Sequence, residues 1–324
     1  MAIDLLSLEP TRISRNLKGK YMLFYGEPKS GKTTLLSKLP HSLILAFEPG
    51  TNALNNAYVQ PIMRWVDFKM ALKQLKLPQL QEKFEFIGID TADIAYELCE
   101  KYICSQNNVE NVGDIPYGKG YALCKKEFSD SFRELAQMGY GICFISHSAE
   151  KTFKNEKGED YIRIVPAMPT RPYDIVNKMV DVIGYIRDVR NLETGEYTKY
   201  LFLRGDDRFL AGSRFKYMEP RVPFTYENLA NAFYEAIDRQ AAEDGTELTQ
   251  ENNRFYQESE KRNFDDVMSE ARDLWVRLTS GNEVVAVKIM DIIERIFGKR
   301  VKLSETTPSQ QELLELVIEE MRSM

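Results

Sequence analysis

The chain has 324 residues, enough for about two domains of ordinary size. Charged residues make up 28%, hydrophobic residues 43%, and the net charge is −6; together these exclude a disordered tail protein and a nucleic-acid binder that works by bulk positive charge. No apolar run nears the ~18 residues of a membrane span, no basic start precedes an apolar stretch at the N-terminus, and only two histidines are present, so a membrane site, a secretory signal and a His-rich metal centre are not expected.

In chain order, 21–26 (YMLFYG) reads as a buried strand, 32–39 as a helix, 42–48 (SLILAFE) as a strand and 66–75 as a helix. A strand at 84–90 (FEFIGID) is followed by a helix to about Ile103, a helix at 121–138 and a strand at 140–146 (YGICFIS). Short apolar runs between amphipathic stretches predict a parallel sheet covered on both faces. After residue 180 the pattern changes: VDVIGYIRDVR (180–190), a turn at 191–196 and YTKYLFLRG (197–205) read as a β-hairpin. A helix at 224–239, capped by Thr225, closes this part. The polar stretch 241–263 reads as a linker between a core of residues 1–240 and a helical domain of residues 264–324.

In that last domain Phe264, Val267, Met268, Ala271, Leu274, Trp275 and Leu278 recur at helical spacing. Gly281 separates a second helix at 283–297, and Thr307-Pro308-Ser309-Gln310 makes a capping box for a third. Residues 246–324 hold 11 basic and 16 acidic residues, so most of the net charge lies there. The four cysteines, Cys99, Cys104, Cys124 and Cys143, lie in or beside apolar segments without a CxxC pair and read as reduced thiols of a cytoplasmic protein.

The strongest chemical signal is Gly26-Glu27-Pro28-Lys29-Ser30-Gly31-Lys32-Thr33, which fits GxxxxGK[ST] between a strand and a helix. Such a turn points successive N–H groups at a phosphate, and the new helix turns its positive end to the same anion. Lys32 then reaches the β- and γ-phosphates of ATP, and the Thr33 hydroxyl ligates Mg²⁺. Asp90, a lone acid at a strand's C-terminal end, is the expected second metal residue. Thr91 follows it where a Glu could have activated water, so the base must come from elsewhere. Glu48 ends the strand after the P-loop helix and is the candidate; otherwise it is a turn acid beside Pro49-Gly50. His147, at the end of YGICFIS, is placed to sense the γ-phosphate.

In this order the segments resemble the RecA-type ATPase core, and more closely the phage-encoded RecA/Rad-like AAA-family P-loop ATPases associated with single-strand-annealing recombination. The resemblance rests on YGEPKSGKTT (25–34), LILAFEPG (43–50), IGIDTAD (87–93), YGKGYAL (117–123) and GYGICFISHSAEK (139–151), and covers about residues 8–240. It implies an α/β fold: a RecA-like P-loop NTPase core, mainly parallel with a late β-hairpin, plus a small C-terminal helical domain. It also implies nucleotide binding by Gly26–Thr34, with Thr34 closing the segment, Asp90 as the Walker B acid, Glu48 as general base and His147 as sensor. The family commonly places a Lys-x-Arg pair on the late hairpin, reaching the neighbouring subunit's γ-phosphate. Here LAGSRF (210–215) keeps Arg214 but has Gly212 at the Lys position, so Arg204 and Arg208 are alternatives. A homo-oligomeric ring or filament follows from this.

Two segments face where RecA-type proteins place DNA-binding loops. In GDIPYGKGY (113–121) the glycines give flexibility, Lys119 can meet a phosphate, and Tyr117 and Tyr121 can stack on bases. The polar stretch 148–171 carries Lys151, Phe153, Lys154, Lys157, Arg163 and Arg171, diluted by Glu150, Glu156, Glu159 and Asp160. The expectation is therefore an ATP- and Mg²⁺-dependent ATPase that binds single-stranded DNA and assists homologous recombination or strand annealing, in the host cytoplasm where it is phage-encoded. The alternatives are a replicative helicase, a helicase loader and a nucleotide-gated scaffold. The tail, with Lys299, Arg300 and Lys302 together, could touch DNA or dock a single-strand-binding protein.

Overall fold

The strand β1 (Tyr21–Gly26) is buried from Met22 to Gly26, as a strand must be when helices cover both its faces. The structure, a computed structural model, describes residues 10–249 and 262–324, which belong to two separate units. In the larger unit, β1 is followed by α1 (Lys32–Lys38), β2 (Ser42–Ala46), β3 (Tyr58–Pro61), α2 (Trp65–Leu75), α3 (Pro78–Lys83), β4 (Phe86–Asp90) and α4 (Ala92–Asn107). Next come α5 (Lys119–Gln137), β5 (Gly141–Lys154), β6 (Asp160–Pro166), α6 (Thr170–Met179), β7 (Val182–Arg190) and β8 (Tyr197–Phe202). The short strands β9 (Gly212–Ser213) and β10 (Arg221–Pro223) precede α7 (Tyr226–Asp244).

The strand order is β10-β8-β7-β1-β5-β4-β2-β3. From β7 to β3 every neighbour is parallel, and β8 turns back antiparallel along β7 as the expected hairpin. The strand β5 lies between β1 and β4, so one strand separates the strand carrying the phosphate loop from the strand carrying Asp90. The result is the expected α/β fold, a mainly parallel sheet with a late β-hairpin.

The two faces are packed differently. On one, α2, α4 and α5 bring Trp65, Phe68, Phe128 and Phe132 onto Leu23, Ile142 and Phe144. Phe132 meets four rings there, including Phe128 at 4.7 Å and Phe144 at 5.1 Å between centroids. Truncating it to Ala would cost ~3–5 kcal/mol. On the other face α1 and α7 set Leu35, Leu36, Leu229 and Phe233 against Met22, Phe24 and Ile44.

Two expected loops turn out to be ordered elements. The strand expected to stop at Ser146 continues to Lys154 and pairs with β6 from Ser148↔Pro166 to Lys154↔Asp160. The Asn155 side chain closes the turn, accepting the N–H groups of Lys157 and Glu159. The base of this hairpin is tied to the sheet by the Tyr25 hydroxyl, 2.6 Å from the Leu210 carbonyl and 3.0 Å from that of Ile164. A run rich in Lys and Glu hides a strand because its pairing is made by the main chain, whatever the side chains. The segment 113–121 is likewise not a flexible loop: two single 3₁₀ turns lead into α5 at Lys119. Gly120 is buried, and a Cβ there would lie 2.3 Å from the Val112 carbonyl oxygen. That glycine serves close packing rather than mobility.

In the smaller unit α8 (Phe264–Thr279), α9 (Glu283–Phe297) and α10 (Gln311–Arg322) share a core of Val267, Ala271, Ile289, Ile293, Leu314 and Val317. Asn263 and Asn282 cap α8 and α9. The Thr307 box forms, its N–H donating to Gln310 Oε1 at 3.1 Å, but it opens one 3₁₀ turn ahead of α10. The expected linker is partly helical, since α7 runs to Asp244; residues 250–261 of it lie outside the described residues. Among the described residues no helix is long and apolar enough to cross a membrane. All four cysteines are buried and unbonded to one another.

Candidate nucleotide-binding site

The chain leaves β1 at Gly26, loops through Glu27–Ser30 and enters α1 through Gly31, whose φ of 93° lies in the left-handed region. Only glycine takes that conformation without strain. Lys32 is buried at 6% exposure. Its ammonium sits inside the loop, donating to the Gly26 carbonyl at 3.0 Å and the Glu27 carbonyl at 2.7 Å. Burial pulls its pKa down, and the nearby Asp90, Glu48 and Asp93 partly oppose that. A buried ammonium held by two carbonyls and, weakly at 3.5 Å, the Ser30 hydroxyl is poised to trade them for an anion.

Asp90, 3% exposed, ends β4 and accepts the Thr33 hydroxyl proton at 2.6 Å. Burial raises its pKa; the Thr33 bond and Lys32 pull the other way. The peptide after it, Asp90–Thr91, is cis. A strand-like hydrogen bond from Phe47 N–H to the Asp90 carbonyl at 2.7 Å carries the chain past the end of β2 and brings Glu48 to the same end of the sheet. The strand itself ends at Ala46, two residues earlier than expected. Burial raises the pKa of Glu48; His147 counters this, while Asp90 and Asp93 reinforce it.

His147 lies on β5 in register with Gly26. Its Nδ1 is 3.0 Å from Asp93 Oδ2, and its Nε2 is 3.7 Å from Glu48 Oε1. Asp93 thus fixes which ring nitrogen faces Glu48. Sequence reasoning gave Asp93 no role, although IGIDTAD contains it three residues after Asp90. Its position in the first turn of α4 could have flagged it, because a helix places that residue one turn above the strand end. Asp93 Oδ1 and Thr91 Oγ1 are buried beside this cluster with no hydrogen-bond partner among the described residues.

These residues fit a divalent cation. Thr33 and Asp90 offer a hydroxyl and a carboxylate already in contact, the hard oxygen donors that Mg²⁺ takes, usually with water and phosphate completing the shell. Among the described residues no group of three or more His, Cys, Asp or Glu forms an all-protein cage, so the ion would depend on nucleotide oxygens.

The other expected site residues are spread out. Arg214 lies at the opposite end of the sheet within its own chain, bonded to Asp181 Oδ1 at 3.2 Å and to the Lys178 carbonyl at 2.7 Å. Arg204 and Arg208 are exposed beyond β8. Tyr117 is 96% exposed with Lys119 Nζ 5.9 Å from its ring centre, and Arg171 stacks over Tyr121 at 4.2 Å. On the hairpin, Lys151 donates to the Met168 carbonyl at 3.3 Å and Lys154 pairs with Asp160 at 3.0 Å. In the smaller unit Arg300 approaches Glu294 at 3.6 Å.

The chain is similar to the SPbeta prophage-derived uncharacterized protein YorG of Bacillus subtilis (strain 168), 28% identical over 332 residues, covering 100% of this chain and 99% of that protein. A solved structure, the flagellar accessory protein FlaH from Methanocaldococcus jannaschii, matches at 11% identity over 57% of this chain and 77% of that chain, with a TM-score of 0.31. Residues 18–215, more than half of the chain, match the AAA domain family AAA_24, and they contain the phosphate loop, Glu48, Asp90, Asp93 and His147. The chain belongs to this AAA domain family.

Proposed function

We propose that the protein is a Mg²⁺-dependent ATPase that binds single-stranded DNA and assists homologous recombination or strand annealing in a phage setting. One observation carries the ATPase reading: Lys32 and Thr33 at the start of α1, Glu48 just past β2, Asp90 at the end of β4 and His147 on β5 converge at one end of the sheet. Incoming β- and γ-phosphates take the place of the Gly26 and Glu27 carbonyls as partners of Lys32. Thr33 and Asp90 would hold the Mg²⁺, which when bound offsets negative charge on the transferred phosphoryl group. Glu48 accepts a proton from the attacking water and orients it. His147, fixed by Asp93, faces Glu48 and favours its ionised form when the ring is protonated.

Two observations support the nucleic-acid part. Tyr117 with Lys119, and Tyr121 with Arg171, put aromatic rings beside cations at the surface, a pairing that suits unpaired bases and their phosphates. The similarity to a prophage-derived protein supports the phage setting. A ring or filament of identical copies completes the proposal.

The deciding experiment measures phosphate release and fluorescent-nucleotide binding for wild type, K32A and E48Q. Wild type is expected to turn over, K32A to lose binding, and E48Q to bind without turnover. Wild-type turnover that survives in both variants overturns the assignment. Light scattering with an ATP analogue and an oligonucleotide reads assembly in the same samples.

A further inference from the structure

One edge of the sheet holds a cluster of positive charge outside the nucleotide site. Arg187 on β7, Arg221 on β10, and Arg204 and Arg208 beyond β8 line an open cleft of about 270 Å³ with Phe202 and Asp206. None of the four guanidiniums has an ion-pair partner among the described residues, unlike Arg15, Arg64, Arg214, Arg262, Arg295 and Arg322. Asp206 offsets one of these four charges, while its Oδ1 accepts the backbone N–H groups of Arg208 and Phe209 and shapes the turn, so the cleft keeps an excess of positive charge.

Two of the arginines sit over aromatic rings. Arg187 lies over the Phe202 ring at 5.5 Å and Arg221 over the Tyr200 ring at 4.9 Å. A guanidinium resting on a ring face can still offer N–H donors to an oxyanion. Arg187 follows Ile186, which pairs with Gly26, so the cleft lies one strand over from the phosphate loop. Phe202 and Phe209 belong to the aromatic face, away from α1.

We propose that this cleft is a second phosphate site, occupied by the phosphodiester backbone of single-stranded nucleic acid. The inference rests on the DNA-binding reading above and relocates its main backbone contact. Arg187 and Arg221 stand on the two strands that flank β8, two strand spacings or ~10 Å apart at the main chain, so the arginines are rooted in a row across this edge of the sheet. A row suits the repeating phosphates of a polymer, whereas one terminal phosphate group needs a focus. The volume falls below the ~300 Å³ at which small-molecule pockets begin, which argues against an enclosed cofactor. Of the lysines expected from sequence to bind DNA, Lys119, Lys151 and Lys154, the last two are already partnered.

The test is fluorescence anisotropy of the full-length chain with a labelled oligothymidylate across a salt series. The variants are R187A/R221A, R204A/R208A, the corresponding Lys pairs, and K151A/K154A. Wild-type affinity is expected to fall with salt. Each Ala pair should weaken binding at least tenfold and reduce the log–log salt slope by about 1.4, the effect of two lost phosphate contacts on a single strand. The Lys pairs should keep the slope, and K151A/K154A should resemble wild type. Unfolding midpoints, read in parallel, separate a folding defect from lost contacts. If wild type binds and the cleft variants bind equally with an unchanged slope, the cleft proposal falls and the DNA reading stands. If wild type binds no oligonucleotide at any salt, the DNA reading itself falls and takes this occupant with it. Cleft variants that keep DNA affinity but lose ATP-dependent assembly would assign the arginines to a neighbouring copy and overturn the proposal.

Discussion

The two ends of the central sheet use the same residue types to opposite purpose. At the end where β1 begins, Asp181 is fully engaged: one carboxylate oxygen accepts the Tyr21 N–H at 2.9 Å and the other receives Arg214 at 3.2 Å. At the end where β1 finishes, charge is buried but underused. Lys32 is held only by carbonyls and a weak contact to Ser30, Asp90 has one hydroxyl, and Thr91 Oγ1 and Asp93 Oδ1 have no partner. Buried polar groups normally find partners, so a cluster that lacks them is waiting for a ligand. Satisfied charge marks a structural clamp; unsatisfied charge marks a site.

The sharpest way to break this comparison is to remove one charge at each end. At the site end, E48Q should cut kcat by ~10²–10⁴-fold through loss of the proton acceptor, with little change in the unfolding midpoint. At the clamp end, D181A should leave turnover almost intact and lower stability by ~1–3 kcal/mol, because the Tyr21 N–H loses its acceptor. For a core of this size that is a fall of several degrees in Tm, by ~2–4 °C per kcal/mol. R214A is the companion experiment. It should cost at most ~1 kcal/mol, since the pair is half exposed. A large loss of turnover at unchanged Tm would show instead that Arg214 acts on a neighbouring copy, and the contrast between the two ends would fail.

Much of the site end was legible from sequence, and the reasons are local. A P-loop is a contiguous turn, so its spacing survives in the string, and Asp90 and Glu48 stand out as acids closing apolar runs. Asp93 did not stand out, since its importance arises only when α4 starts beside β5 and sets its carboxylate on His147. The hairpin of β5 and β6 was hidden by its charged side chains, and β3, β9 and β10 by being two to four residues long. The arginine cleft was the least legible feature. Arg187, Arg204, Arg208 and Arg221 span a 35-residue stretch, and only strand pairing brings them side by side.

A finer test stays within the site end and asks whether His147 and Asp93 tune Glu48 in opposite directions. Burial already raises the Glu48 pKa, so the acid limb of the pH–rate profile reports it. In H147Q the ring that favours the carboxylate is gone, leaving burial and two like charges; the acid limb should move to higher pH. In D93N one of those like charges is removed, so the limb should move to lower pH while the plateau falls as His147 loses its orienting partner. A plateau loss of roughly tenfold, or ~1.4 kcal/mol, is expected for each. If both limbs shift the same way, the ring does not mediate between the two carboxylates.

The smallest effect tests whether position alone makes a residue functional. Thr225 caps α7 near the phosphate loop: its Oγ1 accepts the Asn228 N–H at 3.2 Å, and the adjacent Phe224 lies against Gly31. Thr225 is a satisfied polar group at the site end, so the comparison assigns it to structure. T225A should cost ~1 kcal/mol of stability, the ordinary value of an N-cap, and leave kcat and nucleotide affinity unchanged after correction for the unfolded fraction. If it lowers nucleotide affinity at full folding, the corner between β10 and α7 takes part in shaping the loop. Being satisfied would then no longer distinguish structure from site.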